Sequence, residues 1–181
     1  MSEQVEEPDH EDELEYDEEP EFDALVIGAG AAGVGAAIAL IHAGIGNFAV
    51  VDRGEVGASF AAWPAETRFI TPSFPTNSIG MVDINSIAPG ASPGYSLRLE
   101  HPTGQQYASH LKDVVKFYEL PINENTEVDK VTSTPEGFLV ETSIGTLRAK
   151  HVIWAAGEYQ YPQLSGFPGA ELCQHTATIP S

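Results

Sequence analysis

The segment from Phe22 to Asp52, FDALVIGAGAAGVGAAIALIHAGIGNFAVVD, leaves this chain few folds to choose from. Phe22–Ile27 is an apolar run of the length of a buried strand. Gly28-Ala29-Gly30-Ala31-Ala32-Gly33 follows as G-x-G-x-x-G and opens an alanine-rich apolar stretch to about Ala43, with Gly44 and Gly46 as stop signals. Phe48–Val51 reads as a second strand and ends on Asp52, 19 residues after Gly33. Each position has a physical reason. Gly28 permits the tight turn out of the strand, Gly30 lets backbone approach a pyrophosphate, and Gly33 lets the helix pack closely on the sheet. The free N–H groups at the helix start, on Ala31, Ala32 and Gly33, attract phosphate. A carboxylate at the tip of the second strand can accept hydrogen bonds from a ribose diol. G-x-G-x-x-G alone is a weak signal; between a strand, a helix and a correctly spaced acid it implies a dinucleotide site.

The rest of the composition narrows the class. A length of 181 residues suits one domain with a sizeable core. The net charge is −19, but residues 1–23 hold 13 of the 27 acids and no Lys or Arg, which leaves 14 acids against 8 bases. Residues 1–21 are therefore expected to be a disordered acidic tail, without the basic start or apolar core of a targeting peptide. The acidic balance argues against nucleic-acid or anionic-membrane partners and suits a cytoplasmic, halophile-like surface. Cys173 is the only cysteine, which excludes an intrachain disulfide and a C-x-x-C redox pair. The six histidines lack metal-binding spacing, and no metal site is indicated.

After Asp52 the chain departs from a simple alternation of strands and helices. Gly54–Tyr95 is a 42-residue stretch rich in Gly, Pro and Ser, yet it carries Phe60, Trp63, Phe69, Phe74 and Tyr95. Two readings fit these aromatics: they wall a flat cofactor, with the backbone of Gly57-Ala58-Ser59 against its ring, or they anchor a long excursion to the core. From Thr103 to Leu120, Tyr107, Leu111, Val114, Val115 and Tyr118 share one helical face, with Thr103 as cap and Pro121 as stop. Glu127–Val131 is an expected strand, Gly137–Thr142 and Gly145–Ala149 a hairpin, and His151–Ala155 a further buried strand. The pattern predicts an α/β fold with an antiparallel layer over a parallel one.

These residues resemble the N-terminal FAD domain of two-dinucleotide-binding flavoproteins, the thioredoxin reductase-like, pyridine nucleotide-disulfide reductase and flavin-containing monooxygenase families. The resemblance runs from Phe22 to about Pro168. It rests on GAGAAG at 28–33, Asp52-Arg53, GASFAAWP at 57–64, the strand around Val128, and Val152-Ile153-Trp154-Ala155-Ala156-Gly157, which is similar to a hydrophobic strand ending in A-T-G. The Trp63–Phe74 stretch is similar to that of bacillithiol-disulfide-reductase-type or monooxygenase-like proteins. The fold implied is an FAD/NAD(P)-binding Rossmann-like three-layer fold. Residues 22–168 would form the FAD-binding portion and 169–181 the start of a linker to an NAD(P)-binding domain. Gly28, Ala29, Gly30, Ala31, Ala32 and Gly33 would cradle the FAD pyrophosphate. Asp52 would hold the adenosine ribose, Arg53 would flank the adenine, and Val128 would present its backbone to it. Ser59, Phe60 and Trp63 would lie toward the flavin, and Ala156 and Gly157 where the chain leaves the domain. The monooxygenase signature F-x-G-x-x-x-H is not matched, since five residues separate Gly169 from His175.

The implied activity is that of an FAD-dependent oxidoreductase, or its FAD-binding half, passing hydride from NAD(P)H through flavin to a small-molecule acceptor or oxygen. The nicotinamide half would come from a second domain, a partner chain or a homo-oligomer. No catalytic acid, base or nucleophile is nominated, because in this chemistry the cofactor makes and breaks the bonds. Two other readings stay open: an FAD-binding module without turnover, and an NAD-only Rossmann protein.

Overall fold

The computed structural model describes residues 19–74, 83–158, 166–175 and 178–179. All but the last three residues of the acidic tail, residues 75–82 of the long excursion and residues 159–165 lie outside them. β1 (Phe22–Ile27), α1 (Ala31–His42) and β2 (Phe48–Val51) form the expected unit. β1 pairs in parallel with β2, Ala24 opposite Phe48 and Ile27 opposite Val51. Both strands are buried on two faces, which is why they read as unbroken apolar runs. Ala24, Val26, Phe48 and Val50 face the cluster under α1, while Leu25, Ile27, Ala49 and Val51 face a second cluster on the other side. α1 ends where Gly44 takes a φ of +78° and Ile45 N–H donates back to Leu40.

Among the described residues six strands make one mixed sheet, in the order β3 (Ile122–Asn123), β2, β1, β6 (Gly145–Trp154), β5 (Gly137–Thr142), β4 (Val128–Thr134). β3 is a two-residue strand, Ile122–Asn123, parallel to β2, too short for periodicity to reveal. β4 (Val128–Thr134) and β5 (Gly137–Thr142) are antiparallel, as are β5 and β6 (Gly145–Trp154). The two strands expected at 145–149 and 151–155 are thus one. Ala149-Lys150-His151 contains no breaker, and the strand changes neighbours along its length. Gly145–Ala149 pairs with β5, and from Ala149 to Trp154 it pairs in parallel with β1. This double use folds the hairpin back over the sheet. Val128, Val140 and Leu147 join Leu25, Ile27 and Val51 in one core, and Thr126, two residues before β4, donates its N–H to the Asp52 carbonyl at the tip of β2. The expected antiparallel layer therefore covers the face away from α1.

The excursion between β2 and the long helix is ordered over its described residues by two short helices, α2 (Ala58–Ala61) and α3 (Pro93–Leu97). α4 (Gly104–Tyr118) starts with a full capping box: Gln106 N–H donates to Thr103 Oγ1, and Thr103 N–H to Gln106 Oε1. Its apolar face, with Tyr107, Leu111 and Val114 buried, packs into the α1 side of the core.

Candidate functional site

The glycine turn is shaped by what cannot fit. Gly28 has a φ of +113°, and a Cβ there would lie 2.3 Å from the Ala155 carbonyl oxygen. A Cβ on Gly33 would lie 1.7 Å from the carbonyl oxygen of Gly28, so α1 rests directly on the turn. Gly30 is different: a Cβ would meet nothing within 4 Å. It is the N-cap of α1, with no side-chain cap and no acid in the first turn. The amides at the start of α1 therefore face open space with the positive end of the helix dipole behind them. The residues present fit a pyrophosphate: two glycines fix the turn, and the third leaves room in front of unpartnered donors.

Asp52 stands at the tip of β2, but its carboxylate already holds backbone. Oδ2 accepts from Ala29 N–H at 2.6 Å and Oδ1 from Gly54 N–H at 2.8 Å. Each oxygen keeps a further lone pair for a ribose hydroxyl. The Ala29 carbonyl accepts from Gly57 N–H, so the backbone of this buried residue is bound on both sides by the 52–57 segment. That segment interlocks with the β3–β4 connection: Asp52 N–H donates to Asn123, Asn125 N–H to Gly54, and Val56 N–H to Glu124 Oε1 at 2.7 Å. Arg53 is exposed beside it. Val128 opens β4 at an irregularity in the ladder, its side chain half-buried in the core below Asp52.

The excursion's aromatics divide into two groups. Phe60 and Trp63 pack with Phe69 and Tyr107 at ring-centroid separations of 4.6–5.9 Å, fixing the excursion on α4. Gly104 makes that crossing possible, since a Cβ there would lie 2.1 Å from the Phe60 carbonyl oxygen. These two rings therefore anchor the excursion to α4. The amides of Gly57 and Ala58 are likewise used inside the fold, donating to Ala29 and Glu55. Ser59 is exposed on α2, and Phe74 and Tyr95 point outward. Ala156 and Gly157 follow β6 directly after Ala155, which touches the glycine turn; Gly157 takes a φ of +81° and has open space around it.

Sequence reasoning missed the polar hub that holds the excursion. Asp83 accepts from Phe74 N–H, Asn85 N–H and the Ser92 hydroxyl. Asn85 donates to Thr71 and Ser73, and its carbonyl accepts from the Tyr107 hydroxyl at 2.9 Å. Burial, with Asp83 nearby, pushes the Tyr107 hydroxyl up to about 12. His110, 1% exposed, contacts Ser96 Oγ through Nδ1 at 2.7 Å, while no group of the described residues meets Nε2 in hydrogen-bond geometry. Burial holds its imidazole below the ordinary histidine value, against the pull of the Ala91 backbone, Asp113 and Asp83. Apart from Asp83 and Asn85, two residues from each other, these partners lie 9 to 22 residues apart with no repeating spacing, so only the fold brings them together. An open groove of about 400 Å³ lined by Leu40, Ile45, Lys150 and Ile153 lies beside the C-terminal end of α1. That is the wrong end of the parallel strands for a dinucleotide, which binds where the strands finish.

A family model described as pyridine nucleotide-disulphide oxidoreductase matches residues 25–181. Bacilliredoxin reductase Bdr of Bacillus subtilis is 31% identical over 150 residues, covering 82% of this chain and 42% of that protein. An uncharacterized oxidoreductase CzcO of Bacillus velezensis is 28% identical over 79% of the chain and 38% of its own length. Among solved structures, bacillithiol disulfide reductase Bdr of Bacillus cereus superposes with a TM-score of 0.64 at 26% identity, covering 83% of this chain and 44% of that one. A flavin-containing monooxygenase of Stenotrophomonas maltophilia, at 23% identity, shares the fold with a TM-score of 0.63 over 80% and 42% of the two chains. The chain thus spans less than half the length of these relatives.

Proposed function

The chain belongs to the pyridine nucleotide-disulphide oxidoreductase family, and from that premise we propose that it is the FAD-binding half of an FAD-dependent oxidoreductase. The observation that carries the reading is the glycine turn with its uncapped helix start and the open space in front of Gly30. FAD, when bound, would supply hydride acceptance from NAD(P)H and electron delivery to a small-molecule acceptor or oxygen. The chain's own residues bind, orient and shield. The amides of Ala31, Ala32 and Gly33 hold the pyrophosphate, and the free lone pairs of Asp52 hold the ribose. Arg53 and the Val128 backbone border the adenine. Ser59, Phe60 and Trp63 lie toward the flavin, the two rings also holding α2 on α4, and Ala156-Gly157 border the cofactor past β6. FAD is favoured over NAD alone because the excursion and the antiparallel layer occupy the place of a second nucleotide-binding half. The nicotinamide site belongs to a further domain, a partner chain or a second copy, and the setting is the cytoplasm.

The test is an absorption spectrum of the purified chain after incubation with excess FAD and desalting. A retained flavin band that Gly30→Val and Asp52→Ala both abolish supports the reading. No retained flavin, with a thermal shift by NAD instead, overturns it. Addition of NADH or NADPH to the loaded chain then separates a half from a self-sufficient enzyme, since only the latter bleaches the band.

A further inference from the structure

We infer that Glu124, a surface carboxylate on the β3–β4 connection, is a positioning residue for the glycine turn. The inference rests on the dinucleotide reading above but is reached through a different set of contacts. Ala29, at the centre of the turn, has both backbone polar groups bound by the 52–57 segment: its N–H by Asp52 Oδ2 and its carbonyl by Gly57 N–H. The turn therefore takes its shape from a segment that belongs to no strand or helix. On one side that segment is fixed by β2. On the other, its last residues before Gly57 are fixed by Val56 N–H, which donates to Glu124 Oε1 at 2.7 Å across 68 residues of sequence. Val56 is buried in the same core cluster as Ala29, and Glu124 is the acceptor that satisfies its N–H. A charge-assisted bond to a buried amide is short and strong, and it holds the residue next to the donor that grips Ala29. Asn125, with a φ of +54°, turns the connection so that its own N–H reaches Gly54, which leaves the Glu124 side chain aimed at Val56.

The consequence is a cofactor site shaped before cofactor arrives, with two carboxylates working on one residue from opposite sides. Asp52 acts directly. Glu124 acts through Val56 and Gly57, and touches no cofactor.

Residue-resolved amide hydrogen exchange on the whole ¹⁵N-labelled chain, without ligand, tests this together with ADP and FAD titrations. Glu124→Ala is expected to speed exchange at Val56, Gly57 and Ala29, and to weaken ADP and FAD about tenfold, the effect of one charge-assisted hydrogen bond. Amides of β1 and β5 should keep their wild-type rates. Glu124→Gln, which retains an acceptor oxygen at the same reach but without the charge, should restore most of both readouts, and Glu136→Ala, an equal loss of charge on the β4–β5 turn, should change neither. Unchanged exchange at Gly57 and Ala29 in Glu124→Ala, or failure of Gln to rescue, overturns the inference. If Glu124→Ala does not fold, Glu124→Asp takes its place. Gln close to wild type with Asp impaired supports positioning, and any other pairing overturns it. A wild-type chain that binds neither ADP nor FAD would sink the dinucleotide reading, and the exchange data would still decide the role of Glu124.

Discussion

The glycine turn and the long excursion are both irregular backbone packed against the same core, yet opposite means hold them. The two ends of the turn are fixed by missing side chains: Gly28 and Gly33 stand where any Cβ would strike backbone at 2.3 Å and 1.7 Å, and only Ala29 between them is held by a carboxylate, that of Asp52. The excursion is fixed by side chains it carries, Asp83 and Asn85 gathering its backbone and Phe60, Trp63 and Phe69 seating it on Tyr107. A turn made by exclusion can be recognised from spacing alone, because the glycines must fall where the strand ends and the helix begins. An excursion made by attachment leaves no such spacing, because its partners are set by where the chain returns.

The largest effect should come from breaking the first of these. Gly33→Ala places a methyl inside the Gly28 carbonyl, and the helix must move off the turn; a loss of about 3 kcal/mol or more is expected. Gly30→Ala, in the same motif, meets nothing and has a φ of −79°, so stability should change by no more than about 1 kcal/mol, the cost of a poorer N-cap, while flavin retention falls. Urea midpoints of the two variants read the difference. Equal destabilisation would show that exclusion is not what shapes the turn.

The excursion should break locally. Asp83→Ala removes the acceptor of two backbone amides and one hydroxyl, and a loss of about 2 kcal/mol is expected. Hydrogen exchange should rise in residues 83–97 and stay unchanged in β1 and β6; a uniform rise would mean that the excursion is part of the core's cooperative unit. His110 supplies a pH handle on the same region. Its depressed folded-state value means that the unfolded chain binds the proton more readily, so this contribution is complete well above pH 6.5 and is lost as pH falls through 6.5 toward the folded value. The urea midpoint should therefore drop on acidification through that window. His110→Phe, whatever its own stability, should flatten this part of the slope.

That contrast also explains what the sequence disclosed. β1, α1, β2 and the cap and face of α4 were legible because each rests on a local period or on a residue type a turn requires. The aromatics of the excursion are visible in the sequence as too apolar for a linker, but the seating of Phe60 and Trp63 on α4 depends on Gly104, 44 and 41 residues away, which lets them in. The single strand Gly145–Trp154 was read as two because its halves serve different neighbours, and a change of partner leaves no mark when both are apolar. Asp52 was found by its distance from the glycines, and Glu124 was not found at all. Its partner Val56 is 68 residues earlier, and a glutamate in a short connection looks like solvated surface.

The smallest effect sharpens the comparison furthest. Lys112 on α4 pairs with Glu55, the residue before Val56, and each moves the other: the ammonium holds the Glu55 carboxyl below its ordinary value, and the carboxylate raises Lys112. The pair therefore ties α4 to the segment that grips Ala29, and on a contact map it looks as important as Glu124. Both side chains are solvent-exposed, so salt screens the attraction and ordering two long side chains offsets much of what remains. Lys112→Ala should leave the melting temperature and FAD affinity unchanged at physiological ionic strength, with a small loss only in dilute buffer. Glu124→Ala, one acceptor on a buried amide, should weaken FAD at either salt concentration. If the two variants instead behave alike and both effects fade with salt, the 52–57 segment is held by surface charge. Ala29 would then be held by contacts that solvent and salt can loosen, and the distinction between the two regions would rest on Gly28 and Gly33 alone.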